Sequence, residues 1–322
     1  MLICIILKNL ICFDKGQYVY VILPLEKVYR GSALSEIVAL NDNEKEWLSS
    51  EIKKFRGEYI KSPDEYLQLL KSKKKVDITS IKDNVSNGIE TLREGCWNLY
   101  LEDEAVFNKK FIAHLIKSRK FPNTKLKECI ESFDIKNSKN FDDDLSDLIG
   151  DYTGSIMPYL YALDLSTTNS RRSRSGKTFE AIIKFLIKDV YEYPFDDQST
   201  VAEGFFREQG IGKIVDGIIP GKDSYISNRA KSLIITMKTS LRERWQEVAE
   251  EIKRTNIPQI YLLTVDDSIS ASKLKTMGHQ NICVVNYDTV KEQYKDFNNV
   301  ISFTEFFNEE IPHCLKYWEK RK

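Results

Sequence analysis

Three charged residues are spaced so that a hairpin and the helix after it could gather them. They are Asp216 in Val215-Asp216-Gly217, Lys238 in Thr236-Met237-Lys238-Thr239, and Glu251, thirteen residues beyond Lys238. Carboxylate oxygens are the ligands a divalent cation takes, and a lysine beside them can hold a water or a phosphate oxygen. Gly217 relieves crowding next to Asp216, and a lysine closing the apolar run Leu233 to Met237 needs an acidic neighbour. Taken singly, each of the three reads as a surface charge or an ion-pair member. Four residues after Lys238 comes Arg242-Glu243-Arg244. Arginine can donate two bonds to guanine O6 and N7, and glutamate can accept from cytosine N4, so the triplet suits adjacent G·C pairs. Standing alone at a helix start, the same triplet would be a solvated face.

These side chains need elements to hold them, and the apolar pattern predicts those elements. Gly176 to Ile187 reads as a helix with Phe179, Ile182, Ile183, Leu186 and Ile187 inward. Ile211 to Ile219 reads as extended, Pro220-Gly221-Lys222-Asp223 as a turn, and Leu233 to Met237 as a buried strand. Arg242 to Arg254 is an amphipathic helix with Trp245, Val248, Ala249 and Ile252 on one face, followed by buried strands at Ile260–Val265 and Ile282–Asn286. That order predicts an α/β class, a mixed sheet flanked by helices, over residues 151–322. Residues 1–150 form the other half, predicted to be mainly helical, with helical spacing at Glu44–Phe55 and Phe107–Ile116. The acidic run Asp142, Asp143, Asp144, Asp147 and Asp151 marks the junction, and Lys71 to Lys75 reads as a solvated face.

Composition narrows the choice of partner. The 322 residues carry 48 basic and 48 acidic side chains, a formal charge of zero, so a nucleic acid must be met by a local patch and not by a global field. Arg171 through Arg244 supplies such a patch, with 14 basic against 10 acidic residues, a net of +4. Within it Arg171, Arg172, Arg174 and Lys177 precede Phe179, where a helix N-terminus would add its own attraction for phosphate. Gly176-Lys177-Thr178 ends like a phosphate-binding loop, but Arg171 stands where that motif needs its first glycine, which excludes a nucleotidase reading. The six cysteines and three histidines have no Cys-x-x-Cys or other zinc-ligand spacing, and the cysteines read as reduced, buried thiols of a cytoplasmic protein. The apolar start, Met1 to Phe13, is interrupted by Lys8 and too short to span a bilayer; a first strand or an overextended start is expected there, and no membrane contact.

The pattern of an aspartate, a turn and Thr236-Met-Lys238-Thr239 at a strand end has the form of a PD-(D/E)XK nuclease site. More specifically, Arg171-Arg-Ser-Arg-Ser-Gly-Lys-Thr-Phe-Glu180, Val215-Asp216-Gly217 and Thr236-Met-Lys-Thr-Ser-Leu-Arg-Glu-Arg-Trp245 resemble the catalytic region of type II restriction endonucleases of the EcoRII C-terminal, SsoII and PspGI group. In that group the glutamate is displaced onto the helix after the lysine strand, which selects Glu251 over Glu247 and Glu250.

The resemblance implies a restriction-endonuclease-like core. It implies that Asp216 and Glu251 ligate Mg²⁺, that Lys238 positions or helps deprotonate the attacking water, and that Glu180 completes a second metal position. Glu180 also reads as a carboxylate favoured at a helix N-terminus. The resemblance further implies base reading by Arg242, Glu243 and Arg244, and phosphate contacts by Arg171, Arg172, Arg174 and Lys177. The partner is then double-stranded DNA at a CC/GG-containing palindrome of CCGG, CCNGG or CCWGG type, cut to leave 5′-phosphates. The protein is expected to be a homodimer, with pairing into a tetramer left open, and a cognate DNA methyltransferase is expected to protect the same site. Some members of the group extrude central bases onto an aromatic platform; Trp47 and Trp97 are candidates, with core packing the preferred reading of both. A repair or recombination nuclease reading DNA structure, and a DNA-binding protein without catalysis, are the competing expectations.

Overall fold

The computed structural model describes residues 13–14, 17–18, 40–72, 77–118, 141–201, 204–212 and 214–320, without the side chains of 144, 148, 151 and 155. Of the strand or overextended start expected at Met1 to Phe13 only Phe13 is described, and the lysines at 73–75 and the acidic side chains of 144 and 151 lie outside these residues. Among the described residues no helix is long and apolar enough to cross a membrane.

The chain divides into two units. The first, Met1–Leu40 with Pro122–Pro158, contains a short hairpin of β1 (Phe13–Asp14) and β2 (Gln17–Tyr18). The second, Asn41–Phe121 with Tyr159–Lys322, holds both helices and sheet. Its early helices are α1 (Asp42–Tyr59), α2 (Pro63–Ser72), α3 (Ile78–Asp83) and α4 (Val85–Lys117). A capping box between Asn41 and Glu44 starts α1, and the Asn84 side chain caps α4. Helix α5 (Phe141–Phe185) belongs to both units and ends in a π-helical turn, Leu186–Val190.

There follow β3 (Asp196–Asp197), α6 (Gly204–Glu208), β4 (Gly217–Ile219), α7 (Lys222–Asn228), β5 (Leu233–Lys238) and α8 (Arg244–Thr255). Then come β6 (Ile260–Thr264), α9 (Ala271–His279), β7 (Ile282–Asn286), α10 (Asp288–Gln293) and β8 (Val300–Ser302). A helical segment from Phe303 through the π-turn Phe306–Glu310 leads into α11 (Ile311–Glu319).

The six strands β3 to β8 form one sheet in sequence order. Strands β3, β4 and β5 are antiparallel neighbours, whereas β5 through β8 run parallel with a helix in each crossover. The sheet is therefore mixed and flanked by helices, as the apolar pattern predicts. Strands β5, β6 and β7 are almost wholly buried and rich in Ile, Leu and Val because a parallel sheet covered on both faces buries both sets of side chains. Helix α8 presents Val248, Ala249 and Ile252 to a core shared with Ile234, Leu262 and Val284. Phe179, Ile182, Ile183, Leu186 and Ile187 are all buried, so the predicted inward face of α5 holds.

The structure differs from the sequence expectation in three places. The turn at Pro220–Asp223 opens a helix, α7, so β4 and β5 are joined by an excursion and not a tight loop. The extended run is only Gly217–Ile219; Ile211, Gly212 and Ile214 to Asp216 are turn and coil. Helix α5 does not start near Gly176 but passes through the Ser/Thr/Arg-rich stretch without interruption. The described cysteines Cys96, Cys283 and Cys314 are free and buried.

Candidate active site and reading turn

Asp216 enters the sheet one residue before β4, where its amide donates to the Ile235 carbonyl at 2.8 Å. The register Gly217↔Ile235 aims its side chain at the end of β5. There Oδ2 accepts from the Met237 amide at 2.6 Å and from the Thr236 hydroxyl at 3.4 Å. Gly217 is required for close packing: a Cβ there would lie 2.1 Å from the Phe195 ring. Lys238 closes β5 opposite Thr264 of β6.

Burial pushes the Asp216 carboxyl above its ordinary range, and Lys238 and the Met237 amide pull it back. Burial also raises Glu180, and the Asp216 carboxylate raises it further, while Lys184, Lys238 and Lys177 oppose the shift. Asp216, Glu180 and Lys238 therefore share one electrostatic neighbourhood, assembled from the end of α5, the approach to β4 and the end of β5. Glu180 lies near the C-terminal end of the 45-residue helix α5, so it is not a helix N-terminal carboxylate.

Beside this group sits an ionic cluster that sequence reasoning missed. Asp197 of β3 is 1 % exposed and lies 3.0 Å from Lys188 Nζ and 3.5 Å from Lys184 Nζ. Burial opposes its charge, but the Ser199 hydroxyl and the two lysines hold it well below the ordinary carboxylate range. The charge of Lys184 thus stabilises Asp197 on one side and Glu180 and Asp216 on the other. The Lys184/Lys188 spacing was the available signal.

Glu251 is 5 % exposed on α8, and its carboxylate is engaged by Arg254 one turn on. Arg254 also donates to the Gly210 carbonyl. In this arrangement Glu251 is paired with its own helix; Glu247 and Glu250 are exposed.

Arg242 and Glu243 occupy a turn and Arg244 begins α8, so the triplet opens the helix as expected, and all three are exposed. Leu241, at 1 % exposure, pins the turn into the core. Arg242 has φ 34°, in the left-handed region that disfavours an L side chain.

The basic cluster is placed differently from expectation, because α5 runs through it and no helix N-terminus is present there. Arg171 pairs with Glu104 of α4, a carboxylate only 3 % exposed. Arg174 donates to the Lys61 carbonyl at 2.6 Å and lies 5.0 Å from the centre of the Tyr100 ring. Arg172 and Lys177 are exposed.

Core packing, the preferred expectation for the tryptophans, does not describe Trp97. It is 39 % exposed, stacks on Tyr100 and, with Arg93, Arg171 and Arg174, lines a cleft of about 430 Å³. Trp47 is half-buried.

Known proteins share these features. Residues 143–307 match the family described as EcoRII C terminal. The type II restriction enzyme SsoII of Shigella sonnei is 35 % identical over 236 residues, which cover 73 % of this chain and 71 % of that protein. Metal-depleted Ecl18kI in complex with uncleaved, modified DNA is a structural match with TM-score 0.69 and 30 % identity, over 87 % of this chain and 86 % of that one. The PspGI–substrate DNA complex shares the fold at TM-score 0.57 and 17 % identity, over 80 % of this chain and 94 % of that one. A mixed sheet whose β4–β5 pair brings Asp216 and Lys238 beside Glu180 of α5, joined to these matches, places the chain in the EcoRII C-terminal family: it is a type II restriction endonuclease with a PD-(D/E)XK core.

Proposed function

We propose that this endonuclease binds double-stranded DNA as a homodimer and, with Mg²⁺, cuts a CC/GG-containing palindrome to leave 5′-phosphate and 3′-hydroxyl ends. The observation that carries the reading is the exposed Arg242-Glu243-Arg244 turn, which begins four residues after Lys238, the last residue of β5. Two arginines with a glutamate between them offer donors to guanine and an acceptor to cytosine N4, whereas a reader of DNA structure alone has no use for that carboxylate. Two copies related by a twofold axis put the triplets on opposite halves of a symmetric site.

The donor set fits a divalent cation. Asp216 and Glu180 are hard oxygen ligands whose shared burial and mutual repulsion a cation would relieve. Among the described residues no three His, Cys, Asp or Glu side chains form a metal group. Mg²⁺ does not need one, since it keeps several waters and takes one or two carboxylates plus substrate phosphate. When bound it would lower the pKa of a water and stabilise the charge that builds on the phosphate. Lys238 orients that water for in-line attack and helps remove its proton as the bond from phosphorus to the 3′ oxygen breaks. Glu251 would hold the cation as a further ligand if its carboxylate were released from Arg254.

Exposed Arg172 and Lys177 face phosphates, while Arg171 and Arg174 brace the same segment against α4. Residues 1–150 contribute dimer and DNA contacts around the catalytic half, 151–322. For base extrusion, Trp97 offers the stacking surface. The setting is a cytoplasmic restriction–modification pair with a methyltransferase that protects the same sequence.

The test is to digest random-sequence DNA with the purified protein and Mg²⁺ and to sequence the ends. A symmetric CC/GG core is expected. Each of Arg242→Ala, Glu243→Ala and Arg244→Ala should then cost about 1–3 kcal/mol of discrimination at the G·C pair it reads. Ends without a CC/GG core, or equal weakening on every sequence, would assign the triplet to the DNA backbone. Retardation of DNA without any cutting would leave only a binding protein.

The displaced glutamate has its own contrast. Glu251→Ala should be as inactive as a variant lacking Asp216, while Glu247→Ala and Glu250→Ala should cut at close to the wild-type rate. Cleavage assays on the three variants decide it, and an essential Glu247 or Glu250 would mean that a different turn of α8 faces the cation.

A further inference from the structure

The turn that carries the triplet has one backbone bond of its own, from the Arg244 amide to the Leu241 carbonyl at 2.6 Å, and takes the rest of its support from outside. The parallel ladder between β5 and β6 ends at Lys238↔Thr264, and the chain crosses Thr239 to Glu243 before α8 takes over its backbone hydrogen bonds. Inside that crossing Arg242 adopts φ 34°, which an arginine does not favour without support from its surroundings. The support comes from the ends of the neighbouring elements.

Asp266, two residues past β6, accepts from the Leu241 amide through Oδ2 at 2.8 Å. Its own orientation is fixed from three sides. Oδ1 accepts from the Ser268 amide at 3.0 Å, its amide donates to the Thr264 hydroxyl at 3.1 Å, and its carbonyl accepts from Asn286 Nδ2 at 2.7 Å. Asn286 is fully buried at the end of β7. From α9, Lys273 Nζ donates to the Arg242 carbonyl at 3.2 Å and lies 3.9 Å from Glu243 Oε1.

A plain loop-forming role for Asp266 explains its bond to Ser268 and leaves the second oxygen without a purpose. That second oxygen is the one spent on the residue immediately before the triplet.

We propose that Asp266, oriented by Asn286 and assisted by Lys273, is a positioning residue for base recognition: it fixes the turn that presents Arg242, Glu243 and Arg244 and touches neither DNA nor the reacting atoms. This rests on the base-reading role of the triplet. A carboxylate is suited to the task because it accepts two backbone bonds at once and stiffens both partners. A buried amide left without its acceptor would seek another, and the turn would move with it.

The measured quantity is the ratio of cleavage rates on the preferred site and on sites with one G·C pair replaced. Asp266→Ala is expected to lower that ratio about tenfold, within the range that loss of one bidentate base contact produces. Asp266→Asn keeps an acceptor for the Leu241 amide and should recover most of the ratio. In a background where Arg242, Glu243 and Arg244 are all alanine, Asp266→Ala should cost nothing more, because the contacts it positions are gone.

If the triplet substitutions relax discrimination and Asp266→Ala does not, the positioning role is wrong. If the triplet substitutions leave discrimination intact, the base-reading role itself fails. Should Asp266→Ala not fold by circular dichroism, Asp266→Asn and Lys273→Met carry the test. Lys273→Met is expected to lower the ratio as well, and a uniform loss of affinity on all sequences would make it a phosphate contact and count against the proposal.

Discussion

Lys238→Ala is expected to lower the single-turnover rate of DNA cleavage by about 10²–10⁴-fold, the range for loss of a positioned proton-transfer group, while specific binding changes little. The side chain stands at the end of β5, where its charge lowers the cost of ionising both Asp216 and Glu180. Removing it leaves the reading turn in place, because that turn is fixed by the buried Leu241 side chain and by Asp266. Cleavage and gel retardation on one oligonucleotide separate the two effects. Cutting at close to the wild-type rate would remove Lys238 from the chemistry.

Asp216→Asn should stop cleavage nearly completely. Loss of metal-borne charge stabilisation is worth several kcal/mol, hence about 10³-fold or more. Asparagine keeps an acceptor for the Met237 amide, so the sheet edge survives the change and the loss reports on charge.

The pH dependence follows from the same group. Burial raises the carboxyls of Asp216 and Glu180, so the charged forms that hold a cation are lost earlier than usual as pH falls. Wild-type cleavage should decline on the acid side above the ordinary carboxylate range, and more Mg²⁺ should move the decline to lower pH. Stability runs the opposite way. A carboxyl whose folded pKa exceeds its unfolded one contributes stability that is complete below the unfolded pKa and lost as pH rises through the folded value. The metal-free protein should therefore weaken on that rise, and Asp216→Asn should weaken less, as measured by thermal unfolding across pH. A wild-type curve indifferent to both pH and Mg²⁺ would show that these carboxylates are not the cation's ligands.

The neighbourhood of Asp216 and Lys238 was legible in the sequence because β-pairing is governed by a short-range rule. An apolar run ending in lysine, preceded by Asp-Gly, leaves few registers, and Gly217↔Ile235 is one of them. Strands β5, β6 and β7 were legible for the same reason. Strands β3 and β8, of two and three residues, are too short to leave a period.

Helix α5 was read as starting near Gly176 because serines and threonines compete with helical hydrogen bonding. That preference is weak beside the ties of Arg171 and Arg174 to Glu104 and the Lys61 carbonyl, contacts 67 and 113 residues distant. Such distances have no sequence signature. The hold of Arg254 on Glu251 was visible as a spacing of three along a helix but could not be told from the many such pairs that stay solvated. Asp266 was hidden for a different reason: an aspartate after a strand looks like any loop former until its second oxygen is seen to be used.

The buried Leu241, set between Lys238 and the exposed triplet, makes the blade and the address label one piece of metal. An enzyme assembled that way cannot acquire a new target by trading a recognition module, as a two-domain nuclease could. If the turn reads bases as proposed, any drift in what it reads also displaces the strand that carries Lys238. On the base-reading proposal, variants of the turn that begin to misread would arrive already blunted, and a new specificity would have to be reached by changes that keep both functions aligned.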